Sequence, residues 1–445
     1  MLYFRENQMK LPNQVEKTLS ILHKAGYEGY IVGGCVRDMI LGKIPTDYDI
    51  TTSALPIETI KLFSDFKIIE TGIKHGTVTV IVDGLPIEVT TFRIDGKYSD
   101  NRHPDSVSFS NKLLDDLSRR DFTINALCFS KESGIIDPFG GLSDIKNKQI
   151  KCVGNPDLRF SEDALRIMRA LRFASCLGFE IEKNTSDSIK KNKLLLKNVA
   201  SERLSAELIK LLSGKPKDIL LNFTEVFGVF MPELMLMKNF PHNNPHHMYD
   251  VFTHTVLSVE NIENDPVLRL CMLLHDIGKP VTYTEDFKEI GHFKGHNAEG
   301  VKIAGEILNR LKFDNKTKRR IKTLILYHDC NIHLDNVEIK KWLKKIGKEN
   351  FSDLLKVKIA DTKAKSPEHL NEIKEIYNIY KEYQNILNSN QCFSLKSLAV
   401  NGNDLKNLGY SGSQIGDKLE YILDLVIENR LKNNKNDIID YLIRS

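Results

Sequence analysis

Asp47 and Asp49, one residue apart and preceded by Gly33-Gly34-Cys35-Val36-Arg37-Asp38, put two carboxylates on one side of an extended segment behind a glycine turn. Side chains two apart on a strand project the same way, so these acids converge while Tyr48 and Ile50 face the core. Carboxylates a few Å apart repel unless a cation lies between them, and Mg²⁺ suits the gap because it takes oxygen ligands and shares them with phosphates. The two glycines let the backbone come close to a phosphate, and Arg37 supplies the matching charge. Glu88, in Ile87-Glu88-Val89, offers a third carboxylate on a neighbouring strand, with apolar neighbours that would bury it unless it had a partner. Together these residues describe metal-dependent nucleotidyl transfer, in which an RNA 3′ hydroxyl attacks an α-phosphate and pyrophosphate leaves. A bare Asp-x-Asp is more often a solvated turn; the glycine-arginine stretch before it favours a site.

The stretch Ser161 to Phe173 predicts a helix with Ser161 as its N-cap and Asp163, Arg166, Arg169 and Arg172 recurring every third residue. Apolar residues flank this stripe on both sides, which suits a cleft wall better than a solvated face held by an Asp163–Arg166 pair. In a cleft, Asp163 accepts a hydrogen bond from an exocyclic amino group while the Arg166 fork donates to ring acceptors of the same base. Cytosine and adenine carry that amino group; uracil and guanine present a keto oxygen, a mismatch that costs several kcal/mol when buried. CTP and ATP are therefore the expected substrates. Arg169 and Arg172 are left for phosphates or for holding Asp163 and Arg166 in place.

His254, His275-Asp276, His296, His328 and Asp361 fall on predicted helices in the order seen in HD-type metal phosphohydrolases, which the region from about 246 to 365 resembles. Imidazole with carboxylate suits Mn²⁺, Ni²⁺, Co²⁺, Fe²⁺ or Mg²⁺, and no thiol is placed to select zinc. Adjacent positions differ by about 100° around a helix, so His275 and Asp276 both lean toward one cavity. Lys279, one turn on, is placed to meet a phosphate. Each histidine alone is more often a structural residue; the ordered set carries the reading.

Helical and strand patterns alternate from about 12 to 150: a helix near 12–25, strands near 29–33, 47–51, 66–70, 77–82 and 86–93, and a helix near 56–64. From about 156 the strand signals stop and helical periodicity runs to the end. The fold expected is an α/β head followed by an all-α C-terminal half, divided as 1–150 head, 151–220 neck with the base-reading helix, 221–365 body and 366–445 tail. Pro216, Pro232 and Pro241-His242-Asn243-Asn244-Pro245 mark junctions. The polar segment Asp95–Pro104 suits a mobile loop beside the catalytic strands. Among 445 residues, 41% hydrophobic content supports a sizeable core, and 63 basic against 59 acidic residues leave +4, too little to demand nucleic acid by itself. Seven scattered cysteines with no Cys-x-x-Cys argue against a disulfide framework or a zinc ribbon and for the cytoplasm. No signal pattern and no run near twenty apolar residues is present, so no membrane is expected.

The chain resembles the bacterial class II tRNA nucleotidyltransferases, the CCA-adding enzymes, whose polymerase-β-like head is shared with bacterial poly(A) polymerases. The resemblance rests on ordered motifs: the glycine-arginine turn with Asp47 and Asp49, Arg119-Arg120-Asp121-Phe122-Thr123-Ile124-Asn125-Ala126, Asp137-Pro138-Phe139-Gly140-Gly141, the Asp163 to Arg172 stripe, and Ser201-Glu202-Arg203-Leu204. It implies that Asp47 and Asp49 hold magnesium, that Gly34, Arg37 and Arg120 contact the nucleotide phosphates or sugar, and that Asp163 and Arg166 template the base. It further implies that Asp121 and Asn125 support the ribose side, that Glu88 takes the third acidic position, and that the partner is the acceptor arm and 3′ end of tRNA, with the helical tail and Lys316–Arg320 supplying phosphate contacts. Taken alone, Arg119-Arg120-Asp121 fits a structural ion-pair cluster too. An A-adding or poly(A) polymerase shares nearly all these motifs, and the intact loop at 95–104 and Gly72–Val78 lean toward CCA addition, although His103 stands where a second arginine is expected. An HD phosphohydrolase with an RNA-binding N-terminal half, or a small-molecule nucleotidyltransferase, accounts for fewer of them. The HD-like region implies removal of a terminal or 2′,3′-cyclic phosphate from damaged tRNA, which would restore the hydroxyl that the head extends.

Overall fold

Strict alternation builds the head. In Thr77–Val82 the valines 78, 80 and 82 are fully buried while Thr77, Thr79 and Ile81 are half-buried, and Leu85–Thr91 buries Ile87, Val89 and Thr91 in the same rhythm. Each valine so covered stabilises the fold by about 1.5–3 kcal/mol relative to exposure. The computed structural model describes residues 9–96, 98, 104–243 and 248–444, and divides into two compact units, Met1–Phe230 and Met231–Ser445.

In the first unit a seven-stranded sheet has the order β3-β4-β5-β2-β1-β8-β9. Its strands are β1 (Gly29–Val32), β2 (Tyr48–Thr52), β3 (Lys67–Ile69), β4 (Thr77–Val82), β5 (Leu85–Thr91), β8 (Cys128–Ser130) and β9 (Gly134–Ile136), with β6 (Arg93–Asp95) and β7 (Val107–Phe109) forming a separate ribbon. Within the seven-stranded sheet, among the described residues, only the β2–β5 pairing is parallel, and it sets Asp49 opposite Glu88. The helices are α1 (Asn13–Lys24), α2 (Gly34–Ile40), α3 (Pro56–Leu62), α4 (Leu113–Ser118), α5 (Gly141–Lys146), α6 (Pro156–Glu162) and α7 (Leu165–Leu177). The expected loop at 95–104 lies between β6 and β7; residues 97 and 99–103, His103 among them, are outside the described residues.

Strands do not end near 156 as the pattern predicts. A two-residue strand, β11 (Glu180–Ile181), pairs in parallel with β10 (Gln149–Ile150), and β12 (Thr284–Glu285) pairs with β13 (Gly291–His292) in the second unit. Such short ladders carry too few residues to register as a period. Otherwise the second unit is helical. Asp250, Asp265 and Asp314 each cap a helix, accepting from the amides two and three residues on. These caps contribute about 1 kcal/mol apiece and fix where the helices bearing His254, His275 and His328 begin. Gly278 packs so closely that a Cβ there would meet the His296 carbonyl oxygen at 2.1 Å. Among described residues no helix is long and apolar enough to cross a membrane.

Gly33 joins β1 to α2 at φ 84° and ψ −130°, a conformation that side chains oppose, and an added Cβ would stand 3.0 Å from Arg120 Nη1. Gly33→Ala is expected to lower the unfolding free energy of this unit by about 2 kcal/mol. The measurement is the denaturant midpoint at constant slope; an unchanged midpoint would mean that the turn relaxes freely.

Candidate active site and metal cage

Asp47 leads into β2 and is exposed, Asp49 is half-buried, and Glu88 is exposed on the rung opposite Asp49. Glu88 is thus not buried by its neighbours as expected, because Ile87 and Val89 take the core face of β5 and turn it outward beside Asp49. Burial, reinforced by the Glu88 charge and opposed by Arg120, with Asp47 adding to the repulsion, pushes the Asp49 carboxyl up to about 6. Carboxylates that hold on to a proton this way fit a divalent cation, which would relieve the same repulsion more completely.

A chain of charge-assisted hydrogen bonds stands beside these acids. Arg37, buried, donates from Nε and Nη2 to Asp38 Oδ1 at 2.9 and 2.8 Å and from Nη1 to Asn125 Oδ1 at 2.6 Å. Asn125 Nδ2 then donates to Asp121 Oδ1 at 3.0 Å, and Asp121 Oδ2 accepts from Arg169 at 2.5 and 2.8 Å. Although burial works against it, Arg169 followed by Asn125 holds the Asp121 carboxyl down at about 2. Arg120 reaches Asp116 Oδ2 at 3.2 Å, and Arg119 pairs with Asp116 Oδ1 at 2.5 Å. The Arg119-Arg120-Asp121 motif is therefore an ion-pair cluster, and its Arg120 also acts electrostatically on Asp49.

The Ser161–Phe173 stretch is broken where a single helix was expected. Ser161 sits inside α6, its hydroxyl donating to the Leu158 carbonyl, and Asp163 occupies the break at φ −132°, where its Oδ1 accepts from the Leu165 amide. Asp163 and Arg166 do not pair. Asp163 Oδ2 accepts from Arg203 at 3.2 Å, whereas Arg166 donates to Glu162 at 2.6 Å and to the Arg119 carbonyl at 3.0 Å. Arg169 and Arg172 hold Asp121 and Glu207 rather than Asp163 and Arg166. Phe173 underlies this side: the Arg37, Arg169 and Arg172 guanidinium carbons lie 5.0, 5.4 and 3.9 Å from its ring centre.

In the second unit the six predicted ligands converge. His254 lies in helix Val251–Asn261, His275 and Asp276 in the turn after helix Pro266–Leu274, His296 at the start of helix His296–Arg310, His328 just after helix Asn315–Tyr327, and Asp361 in helix Lys348–Ala364. All six are buried. Asp276 Oδ2 is 2.7 Å from Lys279 Nζ and Asp361 Oδ2 is 2.8 Å from Lys365 Nζ. Burial pushes His254 and His296 below the ordinary imidazole range. Burial also opposes charge on His275, but Asp276 and then Asp361 outweigh it and carry the ring up to about 10. A proton there stands where a cation would satisfy both carboxylates, so this donor set fits a metal ion.

Sequence reasoning passed over Asp116, Glu162 and Lys365, although each stands three or four residues from its partner on a helix: Asp116 to Arg119 and Arg120, Glu162 to Arg166, Asp361 to Lys365. His242, whose Nε2 lies 3.1 Å from Lys279 Nζ, gave no local signal.

Residues 29–151 match the family described as "Poly A polymerase head domain", and residues 298–442 match "tRNA nucleotidyltransferase domain 2". The CCA-adding enzyme of Ligilactobacillus salivarius is 50% identical over 219 residues, covering 48% of this chain and 54% of that protein. That of Geobacillus thermodenitrificans is 51% identical over 193 residues, covering 43% and 47%. The chain thus spans about half the length of the curated relatives it matches. The structure of the Bacillus stearothermophilus CCA-adding enzyme in complex with CTP superposes with a TM-score of 0.73 at 30% identity over 98% of each chain. A Thermotoga maritima CCA-adding enzyme complexed with tRNA shares the fold, with a TM-score of 0.58 at 20% identity over 99% of this chain and 97% of that one. With a polymerase-type head, an ordered set of head motifs and 30% identity along nearly the whole of a solved relative, the chain belongs to the family of the CCA-adding enzymes.

Proposed function

We propose that this protein adds C, C and A to the 3′ end of tRNA from CTP and ATP without a nucleic-acid template. The observation that carries this is the parallel rung that sets Asp49 beside Glu88, with Asp47 two residues away and Arg120 within electrostatic reach. The CTP bound by the Bacillus stearothermophilus relative and the tRNA bound by the Thermotoga maritima one support the same substrates here. Asp47 and Asp49 would hold Mg²⁺, with Glu88 as the third acid. When bound, the cation polarises the phosphoryl oxygens and favours ionisation of the attacking 3′ hydroxyl. Gly34, Arg37 and Arg120 contact the nucleotide phosphates or sugar, and the new bond joins the 3′ oxygen to the α-phosphorus as the bond to pyrophosphate breaks.

Asp163 has two of its roughly four acceptor sites occupied, which leaves capacity for the amino group of cytosine or adenine. Arg166, tied to Glu162 and the Arg119 carbonyl, retains N–H groups for the ring acceptors. Arg169 and Arg172 support the pocket through Asp121 and Glu207. The free thiols suit a reducing cytoplasm.

The convergent imidazoles favour a second activity. We infer that His254, His275, Asp276, His296, His328 and Asp361 bind a divalent metal, and that the region hydrolyses a terminal or 2′,3′-cyclic phosphate at RNA 3′ ends. Lys279, on Asp276 Oδ2, and Lys365, on Asp361 Oδ2, are placed to meet the phosphate.

Three tRNA transcripts, ending before CCA, after C and after CC, test the first reading when offered CTP, ATP or both. Addition of C, C and A followed by arrest is expected; long A tails would assign the chain to the poly(A) alternative. Asp47→Ala should reduce incorporation at least a thousandfold and leave phosphate release intact, and His275→Ala should do the reverse; loss of both activities in either variant would argue against separate sites. Since Asp49 keeps its proton up to about pH 6 instead of about 4, the cation must displace that proton in acid. The Mg²⁺ concentration for half-maximal incorporation should therefore rise as pH falls from 7 to 5.5, whereas a flat profile would separate Asp49 from cation binding.

A further inference from the structure

Three cations of the head gather on one buried ring. The guanidinium carbon of Arg172 lies 3.9 Å from the centre of Phe173, that of Arg37 5.0 Å and that of Arg169 5.4 Å. Among the described residues every other ring that meets a cation meets a single one, as Phe223 meets Lys190 and Phe293 meets Lys279. Arg169 stands one turn before Phe173 on α7 and Arg172 beside it, which helical spacing explains. Arg37 comes across from α2.

The carboxylates that pair with these arginines leave them free to turn. Arg37 Nε and Nη2 both donate to a single atom, Asp38 Oδ1, and Arg169 Nε and Nη2 both donate to Asp121 Oδ2. Arg172 Nε lies 2.6 Å from Glu207 Oε2. One oxygen atom is a pivot, about which a planar guanidinium swings. Arg37 gains a second anchor from Asn125 Oδ1, whereas Arg169 and Arg172 have Phe173 in that place. An aliphatic side chain would fill the same space without attracting cations. The face of an aromatic ring carries negative charge density, so it draws each guanidinium down and offsets part of the repulsion among the three. After these bonds Arg37 keeps two of its five N–H groups and Arg169 keeps three, enough for phosphate oxygens.

We propose that Phe173 is a positioning residue for the nucleotide triphosphate, its ring holding Arg37, Arg169 and Arg172 in one array whose remaining N–H groups bind phosphate oxygens. The proposal deepens the nucleotidyl-transfer reading above and rests on it. Phosphates are common to CTP and ATP, so the ring acts alike on both. It takes no part in the choice of base, which that reading gives to Asp163 and Arg166.

Fluorine drains the negative face of a ring with little change in volume, so mono-, di- and trifluorophenylalanine at position 173 of the full chain separate attraction from packing. KM for CTP on a tRNA transcript ending before CCA, and KM for ATP on one ending after CC, should rise together with each fluorine, to about tenfold at the third. The inhibition constant of pyrophosphate should rise by the same factor, while kcat stays within about twofold of the parent. A KM that stays flat across the series would reduce the ring to packing and overturn the proposal, as would a rise confined to one nucleotide. An unaltered chain that incorporates neither CTP nor ATP would instead remove the transfer reading, and this proposal with it.

Discussion

Acidic side chains gathered at one point, with only partial counter-charge from Arg120 in the head and from Lys279 and Lys365 in the second unit, govern both units. In the head, the single parallel pairing of the sheet sets Asp49 across from Glu88, and the alternation that buries Ile87 and Val89 leaves the acid between them no direction but toward Asp49. The apolar face of β5 and the chemistry of its other face are one decision. Moving the register by one residue would bury Glu88 and expose the hydrophobic set. In the second unit helix starts and ends do the same work, turning imidazoles and carboxylates toward one point.

The arginines of the head act first as scaffolding. Asp38, Arg37, Asn125, Asp121 and Arg169 form one continuous chain from α2 through the segment after α4 to α7, and Arg166 ties α7 to the Arg119 carbonyl. Buried charges of this kind contribute more to specifying one arrangement than to net stability, because desolvation offsets much of their attraction. Phe173 beneath three guanidinium groups adds an apolar floor that also attracts cations.

Features with a period or a fixed spacing were legible in the sequence. The valines of β4, the Asp47–Asp49 pair and the order of the histidines each announced an element or a face, and the structure brings the four histidines together from four helices or their ends. Choice of partner was not legible. Asp163 and Arg166 look like neighbours in a stripe, yet the backbone breaks between α6 and α7, and Arg203, forty residues later, takes Asp163 while Glu162 takes Arg166. Asp116 was readable in principle from its helical spacing to Arg119 and Arg120, whereas His242 arrives beside Lys279 only through the course of the chain. Strands of two residues, such as β11 and β13, are too short to leave any pattern.

Gly278 contributes no ligand, donor or charge, yet the turn that carries His275 and Asp276 touches the first turn of the helix that carries His296 because this position has no side chain. Even a methyl group there would wedge the two segments apart and separate donor atoms contributed by each. A survey of reactive groups would pass over the residue, while a survey of tolerated substitutions would find it as intolerant as the side chains it allows to meet.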